Sequence, residues 1–317
     1  MNFDVEAANV PVVCLMGPTA AGKTDLAIAL RNYGPFEIVS VDSAQIYRDM
    51  DIGTGKPDAE TLKRAPHRLI DILDPVERYS AARFVEDAHR EIAEIRAQGS
   101  IPLLVGGTML YFKALRDGLA AVPEASPAIR ADIEALAETE GWPAVHQALQ
   151  QVDPVSAARI HPNDPQRLQR ALEVYRVSGQ PLSQWHQQQT QGTPCGPVCH
   201  ISVQPRERAR LHEKIARRFH LMLDAGLVAE VEQLYARKDL DPSLPSIRSV
   251  GYRQVWHYLC GEYSYDEMVE KGIIATRQLA KRQVTWLRSW GAVSDFDSES
   301  AETLGEVLKL LRAASIK

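Results

Sequence analysis

Long apolar runs are missing from this 317-residue sequence. No stretch approaches the ~18 consecutive apolar residues of a membrane-spanning helix, so no membrane partner is expected. Basic residues are missing from the first nine positions, which carry Asp4 and Glu6. A signal or transit peptide needs such charges, so the expected compartment is the cytoplasm. Cysteine is scarce. Cys14, Cys195, Cys199 and Cys260 are too few and too scattered for a disulfide framework. Cys195 and Cys199, with His186 and His200 nearby, lack the second half of a zinc ligand set. There is no internal repeat, and no biased tract beyond the short run from Gln184 to Gln191. Net charge is −5, which argues weakly against a nucleic-acid partner, but the charge is unevenly spread.

What the chain does have is Gly17-Pro18-Thr19-Ala20-Ala21-Gly22-Lys23-Thr24. The spacing is that of a GxxxxGK[ST] phosphate-binding loop. An apolar run, Val10 to Met16, precedes it, and a helical pattern from Asp25 to Leu30 follows. Glycines at 17 and 22 let the backbone curl so that successive N–H groups point inward. The helix adds the positive end of its dipole. Lys23 supplies a cation and the Thr24 hydroxyl a ligand for Mg²⁺. The loop predicts binding of a diphosphate or triphosphate and leaves open what is done with it.

Taken in order, 11–16 reads as a strand and 23–31 as a helix. Glu37 to Val41 is a second buried strand. It ends in Asp42, Ser43, Ala44 and Gln45, where ligand-binding groups gather in open α/β sheets. Asp42 is either such a group or a helix N-cap. Asp51 to Pro57 is a polar glycine loop, either a plain turn or one that turns Thr54 and Lys56 to a phosphate. Arg68 to Leu73 reads as a third strand. A helix capped by Ser80, with Phe84, Ala88, Ile92 and Ile95 inward, stops at Gly99. Ile101 to Val105 is a fourth strand, ending in Gly106-Gly107-Thr108. This alternation predicts an α/β fold, a P-loop parallel sheet covered by helices on both faces.

From about Leu119 to Pro197 the strand pattern stops. One helix opens at Ser126-Pro127 with Ile129, Ile133 and Leu136 inward. Another runs from Asp164 to Val177 with Leu168, Leu172 and Tyr175 inward and Arg167 and Arg170 on its other side. The expected domains are core residues 1–118, an all-helical insertion at 119–197, and core residues 198–317 with basic C-terminal helices. Val198 to Val203 returns to strand and completes the sheet. Two amphipathic helices follow, Arg206 to Asp224 and Asp266 to Trp290. The first carries Arg206, Arg208, Arg210, Lys214, Arg217 and Arg218; the second carries Arg277, Lys281, Arg282 and Arg288. Such faces suit a phosphate backbone. A nucleoside triphosphatase usually has a strand ending in a Mg²⁺-holding Asp. The fourth strand ends in glycines instead, leaving Asp42 and Asp71 as candidates.

Seven segments then occur together and in order: GPTAAGKT (17–24), DSAQIYRDMDIGTGKP (42–57), PHRLIDILDP (66–75), GGTMLY (106–111), DPQRLQRALEVY (164–175), GYRQVW (251–256) and TRQLAKRQVTWLR (276–288). Over essentially its whole length the chain resembles the bacterial tRNA dimethylallyltransferases, also called tRNA isopentenyltransferases. Eukaryotic members carry a C-terminal zinc finger; this sequence ends at Lys317 without one.

The resemblance implies transfer of a dimethylallyl group from dimethylallyl diphosphate to N6 of the adenosine at tRNA position 37, with diphosphate leaving. The phosphate loop would then stabilise a leaving group, with Mg²⁺ on Thr24. Asp42 matches the family's general base. Arg218 matches its diphosphate-contacting arginine, with Arg217 beside it as the neighbouring candidate. Thr19 belongs to the same pocket edge. The residues implied to face tRNA are Asp42, Ser43, Ala44 and Gln45; Thr108; Arg130; Gln166, Arg167, Leu168, Gln169 and Arg170; Ile247, Arg248, Ser249, Val250, Gly251 and Tyr252; and Lys281 with Arg282. The partners implied are a tRNA anticodon stem-loop and dimethylallyl diphosphate, acted on by a monomer. Two other readings compete: a small-molecule P-loop kinase with a helical lid, and a non-catalytic nucleotide-sensing RNA-binding module that needs no Asp42.

Overall fold

The computed structural model describes residues 10–188 and 196–315. Part of the glutamine run and Cys195 lie outside those residues. The chain divides into two compact units, Met1–Arg116 with Pro194–Lys317, and Asp117–Thr193, against the 119–197 read for the insertion.

In the larger unit, β1 (Val12–Met16) leads through the glycine loop into α1 (Lys23–Arg31), and β2 (Phe36–Val41) follows. Then come α2 (Ala59–Arg64), β3 (His67–Arg68), α3 (Ala81–Ala97), β4 (Ile101–Gly106) and α4 (Met109–Asp117). The regular elements of the smaller unit's described residues are all helices: α5 (Pro127–Glu140), α6 (Trp142–Val152), α7 (Pro154–Arg159), α8 (Pro165–Ser178) and α9 (Leu182–Gln187). The chain re-enters the sheet as β5 (Val198–Gln204) and continues through α10 (Arg208–Asp224), α11 (Leu227–Tyr235), α12 (Tyr252–Leu259), α13 (Tyr265–Arg288), β6 (Ser294–Asp297) and α14 (Thr303–Ser315).

The six strands run β3-β2-β4-β1-β5-β6, and every pair is parallel. All five residues of β1 are buried, as a central parallel strand requires. Its alternate side chains serve opposite faces. Val12, Cys14 and Met16 pack with α3 and α4, whereas Val13 and Leu15 pack with α1 and α14. A third core joins α10 to α13 with Ile46, Tyr47 and Met50.

Two strand expectations are corrected. Only His67 and Arg68 pair with β2, because the backbone turns left-handed at Leu69 (φ 60°) and Asp71 (φ 57°). The rest of that segment turns to the loop after β2, where Ile72 N–H donates to Ile46 O at 2.8 Å. Nor does β5 complete the sheet, since β6 adds beyond it. SDFD is short and half-exposed, too weak in apolar pattern to be read as a strand.

In the helical unit, Ile133, Val145, Leu149, Leu168 and Leu172 form the core. Two buried carboxylates organise its edges. Asp153 accepts from Ser156 N–H (3.0 Å) and Ser183 N–H (2.9 Å), tying α7 to α9. Glu173 accepts from Ser126 N–H (2.9 Å), Arg130 Nε (2.8 Å) and Arg170 Nη1 (2.8 Å). Burial opposes ionisation of Glu173, but its two arginines and the amide outweigh that and hold its pKa below the ordinary value.

Candidate active site

The carboxyl ends of β1, β2 and β4 converge on a pocket of about 510 Å³. The phosphate loop forms one side of it. Gly22 adopts φ 81° and Ala20 φ 63°, which supply the left-handed turns that curl the loop. Gly17 serves a different need from the one expected: a Cβ there would lie 2.3 Å from the Val203 carbonyl oxygen. The first turn of α1 has no side-chain cap, so its amides stay available to an anion.

Two cations face this loop. Lys23 Nζ donates to Pro18 O at 2.7 Å. Burial, and next Arg218, lower its pKa to about 8, against an opposing pull from Asp42. Arg218, on α10, lines the pocket with Lys23, Thr24 and Asp42. Burial lowers its pKa, with Asp42 and then Asp25 pulling the other way. Arg217 is exposed and does not line the pocket, so the helix turns Arg218 inward. A desolvated cation without a counter-ion is costly, and two beside a glycine loop make a site that an anion stabilises.

Asp42 stands at the end of β2. No helix follows it, so it is not a helix N-cap. Its Oδ1 accepts from Ala44 N–H (2.9 Å) and Gln45 N–H (3.3 Å). Those bonds orient the carboxylate and leave Oδ2 for a partner in the pocket. Thr108 Oγ1 accepts from Ser43 N–H at 3.1 Å, joining the β2 and β4 loops. Gln45 Nε2 reaches Thr54 O and Gly55 O at 3.5 and 3.4 Å. Thr54 and Lys56 are engaged by groups of the protein itself: Thr54 Oγ1 donates to Met50 O (2.7 Å), and Lys56 pairs with Asp51 and Asp71.

Gln283 was missed in the sequence. Its Oε1 accepts from Thr19 N–H and its Nε2 donates to Gly107 O, both at 2.9 Å. One buried amide therefore clamps the phosphate loop to the glycine pair after β4. The available signal was polarity out of place, since Ala280, Gln283 and Leu287 share the buried side of α13.

Of the residues implied to face RNA, Asp42, Ser43, Ala44, Gln45, Thr108, Arg248, Ser249, Val250, Gly251 and Arg282 line this pocket. Lys281 is exposed on α13. Three side chains are corrected. Leu168, Ile247 and Tyr252 have 0% exposure and belong to hydrophobic cores, so they hold their neighbours rather than touch RNA. Within the helical unit Gln166 and Arg167 are exposed. Gln169 bonds Glu134 (2.8 Å), and Arg130 and Arg170 are engaged by Glu173. The basic flank of α10 is partly neutralised by the protein itself. Arg210 pairs with Glu213, and Lys214 with Glu299.

Comparison with known proteins bears on the family and the fold. The IPP transferase family model matches residues 45–290 and the isopentenyl transferase model residues 10–73. The full-length tRNA isopentenylpyrophosphate transferase of Bacillus halodurans is 34% identical, with 97% of each chain covered and a TM-score of 0.71. The tRNA delta(2)-isopentenylpyrophosphate transferase of Staphylococcus epidermidis is 32% identical, with 96% of this chain and 99% of that one covered and a TM-score of 0.68. A eukaryotic dimethylallyltransferase acting on tRNA is 25% identical, covering 95% of this chain and 78% of that one, with a TM-score of 0.78. A phosphate loop facing two inward cations and an oriented aspartate is thus carried on a fold shared along nearly the whole chain, and the protein belongs to the tRNA isopentenylpyrophosphate transferase family.

Proposed function

We propose that the protein transfers a dimethylallyl group from dimethylallyl diphosphate to N6 of the adenosine at position 37 of a tRNA anticodon stem-loop, releasing diphosphate. The observation that carries this reading is the pairing of an anion site with an oriented carboxylate in one pocket. Lys23, Arg218 and the phosphate loop line it together with Asp42, whose charge acts on both cations.

Negative charge grows on the diphosphate as the allylic C–O bond breaks. Lys23, Arg218 and the uncapped amides at the start of α1 meet that charge where it develops. The adenine N6 lone pair is delocalised, so its proton becomes acidic only as N6 bonds to carbon. Oδ2 of Asp42 takes that proton. A base stacked in an anticodon loop must first be extruded, at a cost of a few kcal/mol. The loops after β2 and β4, with Arg248 and Arg282 at the same pocket, receive it. The exposed Lys281 and Arg167 offer charge to backbone phosphates.

The residues present fit Mg²⁺. No three His, Cys, Asp or Glu side chains among the described residues form a metal cage. Thr24 at the phosphate loop is the single-hydroxyl donor set of an ion held mainly by substrate phosphates and water. Bound there, Mg²⁺ supplies further neutralisation of the leaving group. No helix among the described residues is long and apolar enough to cross a membrane. We also place the enzyme in the cytoplasm as a monomer, the plain state for an enzyme enclosing one stem-loop.

The direct test is label transfer from dimethylallyl diphosphate, with Mg²⁺, to an anticodon stem-loop with adenosine at position 37, beside the same RNA with guanosine there. Label on the first RNA alone is the expected result. No label on either, with phosphate transferred from ATP to a small acceptor, overturns the reading in favour of a kinase.

Two further outcomes follow from the charges. Affinity for tRNA will fall steeply with added salt, because phosphate contacts release counterions; a flat response in a filter-binding series would contradict the basic-face assignment. Affinity for dimethylallyl diphosphate, measured by calorimetry without tRNA, will weaken above about pH 8, where Lys23 loses its proton. The sign is fixed by the protonated form being the binding form, so the complex takes up a proton above that pH. The limiting slope is about tenfold per pH unit for one proton. Lys23→Arg, protonated throughout, will lack the slope.

A further inference from the structure

Glu230 lies in the first turn of α11 and does not line the pocket. Even so, its carboxylate collects four donors. Oε2 accepts from Asp51 N–H (2.9 Å) and Ile52 N–H (2.8 Å), and Oε1 from Gly53 N–H (3.1 Å) and the Tyr252 hydroxyl (2.5 Å). Three successive backbone amides closing on one anion form a nest, and here the anion is a side chain far away in sequence. We infer that Glu230 is a positioning residue for the diphosphate end of the active site: with Tyr252 it latches the glycine loop 51–57 into the wall that seats the Arg218 guanidinium. This rests on the diphosphate reading of the site given above.

The loop has little freedom between its two ends. At the near end, Tyr252 is fully buried, and its ring lies so close that a Cβ on Gly53 would come within 2.5 Å of it. Burial, and next Glu230, push the Tyr252 phenol above its ordinary pKa, so it stays a donor. At the far end, Lys56 donates to Tyr47 O at 2.9 Å and pairs with Asp51 and Asp71. Between them, Gly55 (φ 62°) meets Arg218 directly. A Cβ there would lie 1.7 Å from Nη2. Arg218 makes no hydrogen bond or ion pair of its own among the described residues, so the bare backbone of Gly55 is what it rests against. A shift of the loop is therefore a shift of Arg218, and a misplacement of about 1 Å at a remote support can cost ~10²-fold in rate.

The experiment uses the full-length protein and two substitutions. Tyr252→Phe removes one donor and keeps the ring. Glu230→Gln keeps the size but turns an NH₂ toward backbone N–H groups. For each, the dissociation constants of dimethylallyl diphosphate and of inorganic diphosphate are measured by calorimetry, beside tRNA affinity, kcat, the two KM values and Tm. Expected for Glu230→Gln is a rise of about tenfold in both diphosphate constants and in donor KM, of the order of second-sphere losses at other anchored sites, with tRNA affinity unchanged. Tyr252→Phe will move the same constants less. In an Arg218→Lys background the Glu230→Gln effect will largely vanish, because the two act as one unit.

Wild-type diphosphate constants in either variant, or full additivity with Arg218→Lys, overturn the latch, even if Tm falls. If Glu230→Gln does not fold, Tyr252→Phe decides alone by the same constants. If the wild-type protein binds inorganic diphosphate but no dimethylallyl diphosphate, the prenyl-donor reading fails, and the inorganic titrations still decide the latch.

Discussion

Replacing Asp42 with alanine will lower kcat by ~10²–10⁴, the usual contribution of a positioned general base, while tRNA binding stays close to wild type. The structure explains why the loss should fall on turnover. Oδ1 of Asp42 is engaged by the amides of Ala44 and Gln45, and the other oxygen is free to accept the N6 proton. Alanine removes both functions, so Asp42→Asn is the sharper variant. Asparagine can keep its carbonyl oxygen on those two amides, preserving the turn, and has no basic oxygen to offer. Single-turnover transfer and stem-loop affinity should be measured on both. Loss of transfer in both, with binding retained in Asp42→Asn, is the expected pattern. Wild-type transfer by Asp42→Asn would remove the general base from the mechanism.

Arg218→Ala will lower kcat/KM for dimethylallyl diphosphate by ~10²–10³, the scale for one preorganised contact to developing charge. The guanidinium shares the pocket lining with Lys23 and Asp42 and is desolvated there, so its charge acts where water screens it little. Lysine at this position will recover only part of the loss, because it keeps the charge and forfeits the planar fork. Arg217→Ala provides the contrast. That residue is exposed on the same helix, so donor kinetics should be unchanged and only tRNA affinity at low salt should move. Equal losses in the two alanine variants would show that α10 is turned differently from the arrangement seen here.

Much of this site is local in origin. The spacing of Gly17, Gly22, Lys23 and Thr24 dictates its own loop, since those four positions are covalently adjacent to the strand and helix they join. The same holds for α3, whose cap at Ser80 and inward residues Phe84, Ala88, Ile92 and Ile95 recur as read. Asp42 was placed at the pocket by the rule that parallel strands deliver ligands at their carboxyl ends. Position alone left open whether it capped a helix or faced a reactant; the resemblance pointed to the reactant, and the turn after it contains no helix.

The failures have a common cause. Arg68 to Leu73 has strand composition, but left-handed backbone at Leu69 and Asp71 bends it toward Ile46, a long-range preference that no window of neighbours contains. Leu168, Ile247 and Tyr252 lie within segments matched as RNA-facing, yet a matched segment has a buried side as well as an exposed one. Gln283 and Glu230 were missed for the reverse reason. An isolated glutamine or glutamate in a helix reads as a solvated face, and only the fold shows that each is spent on backbone groups far away in sequence.

Residue order alone was enough for the phosphate loop, the alternating strands and helices, the break in that pattern near Leu119 and the family's motifs, because each depends on neighbours along the chain. Tertiary structure was needed to choose Arg218 over Arg217, to add β6, to bury three matched side chains, and to close Glu230 on the loop at 51–53. Those outcomes depend on which face of a helix is desolvated and which distant amide lacks a partner, quantities that exist only once the chain has packed.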